Sequence, residues 1–195
     1  EGKEDIQGKV HQDGLNVLLK AMAKLEYVDA GKLGIFSQSL GLAMAAGALG
    51  RHVDDPPVKF FVDWEGPTDR FYITKRDSPG ILKILQGHKS SEAEWWAERE
   101  AVQTIRTAKV RYLRIQSEKD HVHGEDKQHS LNIVAAATSK EHGGQGSCVW
   151  TRINGPENEA NRVYTAKEPP KWLPEAKPVD AKMQIGWLKE MAEAK

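Results

Sequence analysis

The stretch "LGIFSQSLGLAMAAGALG", Leu33 to Gly50, decides how this chain is read. It opens as a short apolar run, passes through Ser37-Gln38-Ser39, and becomes almost wholly small and helix-compatible. A buried strand that runs straight into a helix, with no loop residues between, forces the turning residue into a strained backbone and lifts its side chain above the sheet. The residues two before and two after it press on neighbouring backbone, so both must be small. Centred on Ser39 they are Ser37 and Gly41; centred on Ser37 they would be Ser39 and the branched Ile35, which does not fit. Ser39 is therefore the candidate nucleophile. Ala43, Ala45, Ala46, Gly47 and Ala48 give the helix a smooth face to lay against a sheet.

Outward from this turn, helix and strand signals alternate. Leu15, Leu18, Leu19, Met22 and Leu25 recur at helical spacing, with Asp13 placed to cap, which predicts a helix over 14–27. Strands are expected at Leu33–Phe36, Val58–Val62, Val110–Gln116 and Cys148–Ile153. Ser91 with Glu94 reads as a capping box opening a helix to about Thr107, and further helices are expected over 126–138 and from Val179. Residues 67–90, with Pro79-Gly80 and a helix-like patch at Ile81–Leu85, read as an irregular, lid-like segment of a single domain spanning 1–195. Four alternations of helix and strand predict an α/β fold, a mostly parallel sheet with helices on both faces. Ligands in such sheets sit at the carboxyl ends of the strands, here the loops after Phe36, Val62, Gln116 and Ile153.

Composition narrows the function classes. The 195 residues suit one domain, and Lys plus Arg (28) balance Asp plus Glu (28), so no net field recruits nucleic acid or an acidic membrane. The longest weakly polar run, Leu40 to Gly50, is far short of the ~20 residues a membrane helix needs. Neither a P-loop nor a dinucleotide-binding glycine motif is present, and no cofactor is expected. The single cysteine, Cys148, and the absence of a signal-peptide pattern in the given chain fit a cytoplasmic setting.

A strand, "SQSLG" and a small-residue helix resemble the turn that carries the nucleophile in the α/β-hydrolase superfamily, with Ser37 where Gly is usual. "YLRIQSEKDHV" resembles the seventh strand of those enzymes and the acid-bearing loop after it. The resemblance covers essentially the whole chain and is nearest to the esterase, dienelactone-hydrolase and acyl-peptidase-like branch. It implies a serine hydrolase acting on an ester or related small acyl substrate, with Ser39 as nucleophile and Asp120 as the carboxylate that orients the base. Leu40 N–H would be one oxyanion donor, while Gln38 and Trp64 would touch substrate. Asp63, ending the second strand, is the alternative acid, and its other reading is to structure the turn before Gly66-Pro67.

The resemblance also implies parts that this sequence lacks. The base of that superfamily follows the last strand, yet "NGPENEANRVYTAKEPP" holds no histidine. His129 is the first choice of base, in the first turn of the helix after the acid loop, followed by His123, His121 and His88. His11, His52 and His142 fall away from the relevant strand ends. About four strands precede the nucleophile helix in the superfamily, so a missing N-terminal segment or a second chain is expected to complete the sheet and supply the second oxyanion donor. Two other classes stay open: a hydrolase-like binding protein without catalysis, and a metal hydrolase built on "DHVHGEDKQH".

Overall fold

A computed structural model of the chain describes residues 5–53, 58–116, 120, 122–124, 126, 128–137, 149–153 and 181–193. Its frame is one sheet of four parallel strands, β1 (Gly34–Gln38), β2 (Phe60–Trp64), β3 (Arg111–Gln116) and β4 (Val149–Ile153), in the order β1-β2-β3-β4. Both central strands are buried along nearly their whole length, as parallel strands covered on two faces must be. Each strand lies within two residues of its expected position. Cys148, the expected start of the fourth, is outside the described residues.

Alternation along the strands divides the side chains between two layers. Ile35, Phe61 and Tyr112 face one layer with α1 (Lys9–Met22), α2 (Gly41–Arg51) and α7 (Gln128–Ala137). Phe60, Val62, Leu113 and Ile115 face the other, where Trp187 and Met191 of the last helix, α8 (Ala181–Glu193), close over them. The helix after the turn, α2, buries Leu42, Ala43, Ala45, Ala46, Gly47, Ala48 and Leu49. Its small residues permit close approach, since a Cβ on Gly47 would collide with the Gln12 carboxamide of α1. That carboxamide is fixed by donating to the carbonyls of Gln7 and Glu98, both at 2.8 Å.

Two helices depart from the expected pattern. The first starts at Lys9 rather than 14, because Asp5 accepts from the Val10 N–H at 2.6 Å and caps it, while Asp13 pairs with His52 at 3.0 Å. Its buried stripe is Gln12, Asn16 and Leu19, so Leu18 (55% exposed) points outward and the helix ends before Leu25. The second, expected from Ser91 to Thr107, is two single turns, α5 (Ala93–Trp96) and α6 (Ala101–Thr104). Ser91 makes no cap; Trp96 is fully buried with its indole N–H on Lys89 O (2.8 Å). Arg99, also buried, donates to Ile6 O and to Asp5, both at 2.9 Å.

The 67–90 segment contains α3 (Arg70–Ile73) and α4 (Pro79–Ile84), and is anchored by Ile73 and Leu85 packed with Ala43 and Trp96. Asp69 caps α3 through the N–H groups of Phe71 and Tyr72. No helix among the described residues is long and apolar enough to cross a membrane.

Candidate functional site

Ser39 occupies the junction of β1 and α2 with a φ of 52°, in the left-handed region that side chains other than Gly avoid. It is held there at both ends: its N–H donates to Trp64 O and its carbonyl accepts from Leu42 N, each at 3.1 Å. The turn is thus tied to the neighbouring strand as well as to its own helix. A Cβ built on Gly41 would meet the Ser37 Cβ at 3.5 Å, an ordinary contact, so the two small residues do abut, with room for a methyl group. Leu40 is the first residue past the turn and caps α2, its carbonyl accepting from Gln7 Nε2 at 2.8 Å. Gln38 is exposed at the strand end. Trp64 packs with the layer under α8, and its buried indole N–H has no hydrogen-bond partner among the described residues.

A buried polar row crosses the sheet directly beneath this turn. Ser37, Asp63 and Arg114 are register partners on three adjacent strands, and all point into the α2–α7 layer. The Ser37 hydroxyl donates to Asp63 Oδ1 (3.4 Å), Tyr112 Oη donates to Asp63 Oδ2 (2.9 Å), and Gly66 N–H donates to Oδ1 (3.3 Å). Asp63 therefore does structure the turn at Gly66, and it is also ion-paired with Arg114, both side chains fully buried. All five N–H groups of Arg114 are used. Nε donates to Ser130 Oγ (3.0 Å), Nη1 to Asp63 and to Gly66 O (2.8 Å), and Nη2 to Gln116 Oε1 (2.6 Å) and His129 Nδ1 (3.2 Å). Burial works to lower the Arg114 pKa, but the Asp63 carboxylate and the other groups around it outweigh burial and raise it.

Gln116 carries the row onward, its Nε2 donating to Asp120 Oδ2 at 2.9 Å. Asp120 sits in a tight loop closed by paired backbone bonds with Gly124 (2.8 and 3.0 Å), whose φ of 60° suits glycine. Its Oδ1 accepts from the N–H groups of Val122 (2.7 Å) and His123 (2.9 Å). His129 Nε2 faces its Oδ2 at 3.5 Å, beyond ordinary hydrogen-bond length, and makes no hydrogen bond among the described residues. Burial alone would raise the Asp120 pKa, but these contacts hold it well below the usual carboxylate range. His129 is fully buried, and burial with the nearby Arg114 charge depresses its pKa against the pull of Asp120. For His123, burial and the neighbouring His129 bring the pKa down to about 4. Tyr72 of α3 packs on both rings, at 5.0 Å from His129 and 5.1 Å from His123, and burial with Asp126 and Asp69 pushes its hydroxyl up to about 12.

The expected site residues fall into two groups at the carboxyl ends of the strands. Ser39, Leu40 and Gln38 follow β1; Asp120, His123 and His129 gather after β3, with β2 between. His88 is held elsewhere, stacked on Trp95 (4.0 Å between ring centroids) and bonded to Glu92 (2.8 Å). His52 pairs with Asp13, and His11 Nδ1 accepts from Gln7 N–H (3.1 Å). His121, His142 and the loop after β4 lie outside the described residues. Among the described residues, no three His, Cys, Asp or Glu side chains converge to hold a metal ion. The Ser37–Asp63–Arg114 row was not foreseen. Its signal was an acid, Asp63, and a base, Arg114, inside two strands buried on both faces, where neither charge is tolerable unpaired.

No family model and no curated protein matches the chain. Solved structures do. Galerina marginata prolyl oligopeptidase B superposes with a TM-score of 0.58 at 18% identity, covering 73% of this chain and 20% of that one. Porphyromonas gingivalis dipeptidyl peptidase 4 gives 0.56 at 17%, covering 73% and 18%. A Mycobacterium tuberculosis puromycin-hydrolyzing peptidase gives 0.56 at 14%, covering 82% and 23%. These are α/β-hydrolase fold proteins, and the chain has that fold over the part it spans. It spans about a fifth of the length of the structures it matches.

Proposed function

We propose that the chain carries the nucleophile and acid of a serine hydrolase that cleaves an ester or related acyl bond. The observation that carries this reading is the left-handed φ of Ser39 at an abrupt strand-to-helix turn. Strain of 1–3 kcal/mol, to order of magnitude, persists where surrounding structure enforces it, and it exposes this hydroxyl at a strand end where ligands bind. Ser39 Oγ would attack the acyl carbon, and the Leu40 N–H would stabilise the oxyanion. His129 would take the serine proton on Nδ1 while Asp120 holds its Nε2–H. Gln38 and Trp64 would contact the substrate. The similar structures are peptidases by their names, so amide as well as ester substrates belong to the test. A further segment or a second chain pairing with β1, the edge of the described sheet, would supply the second oxyanion donor, and a cytoplasmic setting fits the single cysteine.

A second reading, a hydrolase-like binding protein without catalysis, is favoured by one contact: Arg114 Nη2 lies on His129 Nδ1, the nitrogen a base would need. The two separate in an assay of p-nitrophenyl acetate and a peptide p-nitroanilide with wild type, Ser39→Ala, Asp120→Asn and His129→Gln. Catalysis requires that Ser39→Ala loses several orders of magnitude in kcat/KM, and that His129→Gln falls with it. Rates equal to the uncatalysed background for wild type would leave the binding reading.

A further inference from the structure

We propose that Arg114 is a positioning residue, which fixes the buried His129 as the neutral tautomer protonated on Nε2 and keeps its Nδ1 lone pair latched until a competing donor takes it. This deepens the reading above and rests on it for its catalytic meaning, but not for its geometry. A guanidinium has only donors, so the 3.2 Å contact from Arg114 Nη2 requires an unprotonated Nδ1. The ring proton then lies on Nε2, which faces Asp120 Oδ2 (3.5 Å), a carboxylate oxygen that accepts. Both contacts select the same tautomer.

Every group facing the ring bears on its protonation. From β3 there is Arg114, itself paired with Asp63; from the loop after β3, Asp120 and His123; and from α3, Tyr72, whose hydroxyl reaches Asp126 at 3.4 Å. Among the described residues Arg114 is the only cation against the ring; it opposes a second charge there, and the depressed pKa of His129 agrees. The Gly66 carbonyl accepts from Arg114 Nη1 at 2.8 Å and keeps a second lone pair, so what excludes the opposite tautomer is the Arg114 Nη2–H aimed at Nδ1. Arg114 cannot drift, because its other N–H groups are committed to Asp63, Ser130, Gln116 and Gly66. For His129 to accept the Ser39 proton, Nδ1 must therefore exchange Arg114 for the serine hydroxyl.

The test is two-bond 1H–15N correlation spectroscopy on 15N-histidine-labelled protein at pH 7, with the His129 signals assigned by their loss in His129→Gln. The expected wild-type pattern is a protonated Nε2 and a bare Nδ1, titrating below the ordinary imidazole value of about 6.5. Arg114→Lys keeps the charge opposite Asp63 but not the planar fork, and should mix the tautomers. The Asp63→Asn/Arg114→Gln pair removes both charges together, should do the same, and guards against the misfolding that a single stranded charge would cause. A wild-type His129 protonated on Nδ1, or an unchanged tautomer ratio in a folded variant, overturns the proposal. An Nε2–H tautomer in a protein whose Ser39 is inert would sink the hydrolase reading and leave the role of Arg114 standing.

Discussion

Cutting the Asp63–Arg114 pair should expose how strongly the two halves of the site depend on one buried charge. In Arg114→Met the Asp63 carboxylate keeps only neutral donors: the Tyr112 hydroxyl at 2.9 Å, the Gly66 N–H at 3.3 Å and the Ser37 hydroxyl at 3.4 Å. Both side chains of the pair are fully buried, so the stranded charge has no route to water. Removing one partner of such a pair costs about 3–5 kcal/mol. Against a typical domain stability of about 5–15 kcal/mol, that is roughly a fifth of the total or more. In Asp63→Asn the stranded arginine still has Asp120 within its network, so the loss should sit at the low end of that range. The double variant Asp63→Asn/Arg114→Met leaves no buried charge at the pair and should be more stable than Arg114→Met alone. Urea unfolding at pH 7 of the four proteins gives the coupling, expected at about 2 kcal/mol or more. A coupling under ~0.5 kcal/mol, or an Arg114→Met variant as stable as wild type, would refute the reasoning, because it would mean that water reaches the pair.

Four further outcomes follow from the same geometry. Ser39→Gly should be more stable than Ser39→Ala by about 1 kcal/mol, since only glycine adopts the left-handed turn without strain, and calorimetry of the two variants checks this. The folded pKa of His123 is depressed to about 4, so between pH ~6.5 and ~4 the unfolded chain binds the proton that the native one refuses. Stability should fall across that window, and His123→Gln should lessen the fall in urea titrations at pH 7, 6 and 5. Asp120 is depressed too, so its contribution is complete above about pH 4 and declines only as the pH drops further; the stability gap between wild type and Asp120→Asn should be level from pH 5 to 8. Gly66→Ala should cost about 1–3 kcal/mol by the same unfolding assay, because its Cβ would overlap Leu42 and crowd Asp63 Oδ1.

The alternation of helix and strand was legible because the strands are short runs of adjacent apolar residues between breakers, and the parallel sheet followed from it. The abrupt turn at Ser39 was legible for a local reason: no loop residues stand between Phe36 and Gly41. The offsets came from tertiary contacts that periodicity does not carry. Asp13 is a plausible cap on sequence, and only the folded chain shows it turned toward His52, just past α2, while Asp5 takes the capping role. The break between α5 and α6 accompanies contacts far along the chain, Arg99 on Ile6 O and Asp5, which helical spacing does not carry. Within the site, the adjacency of His129 to Asp120 arises because α7 starts directly after the loop closed by Asp120 and Gly124. The strand pattern of "VRYLRIQ" does not by itself single out Arg114. In a sheet covered on both faces its charge demanded a partner, and Asp63, one strand away in register, was the acid available.

The account stands most directly on whether Ser39 is an activated nucleophile. Incubating the protein with a biotinylated fluorophosphonate and reading intact mass, then the tryptic peptide, measures this without choosing a substrate. The account predicts one adduct per chain, on Ser39, absent from Ser39→Ala and slowed in Asp120→Asn and His129→Gln. An unmodified wild type, or an adduct that persists in Ser39→Ala, would contradict it.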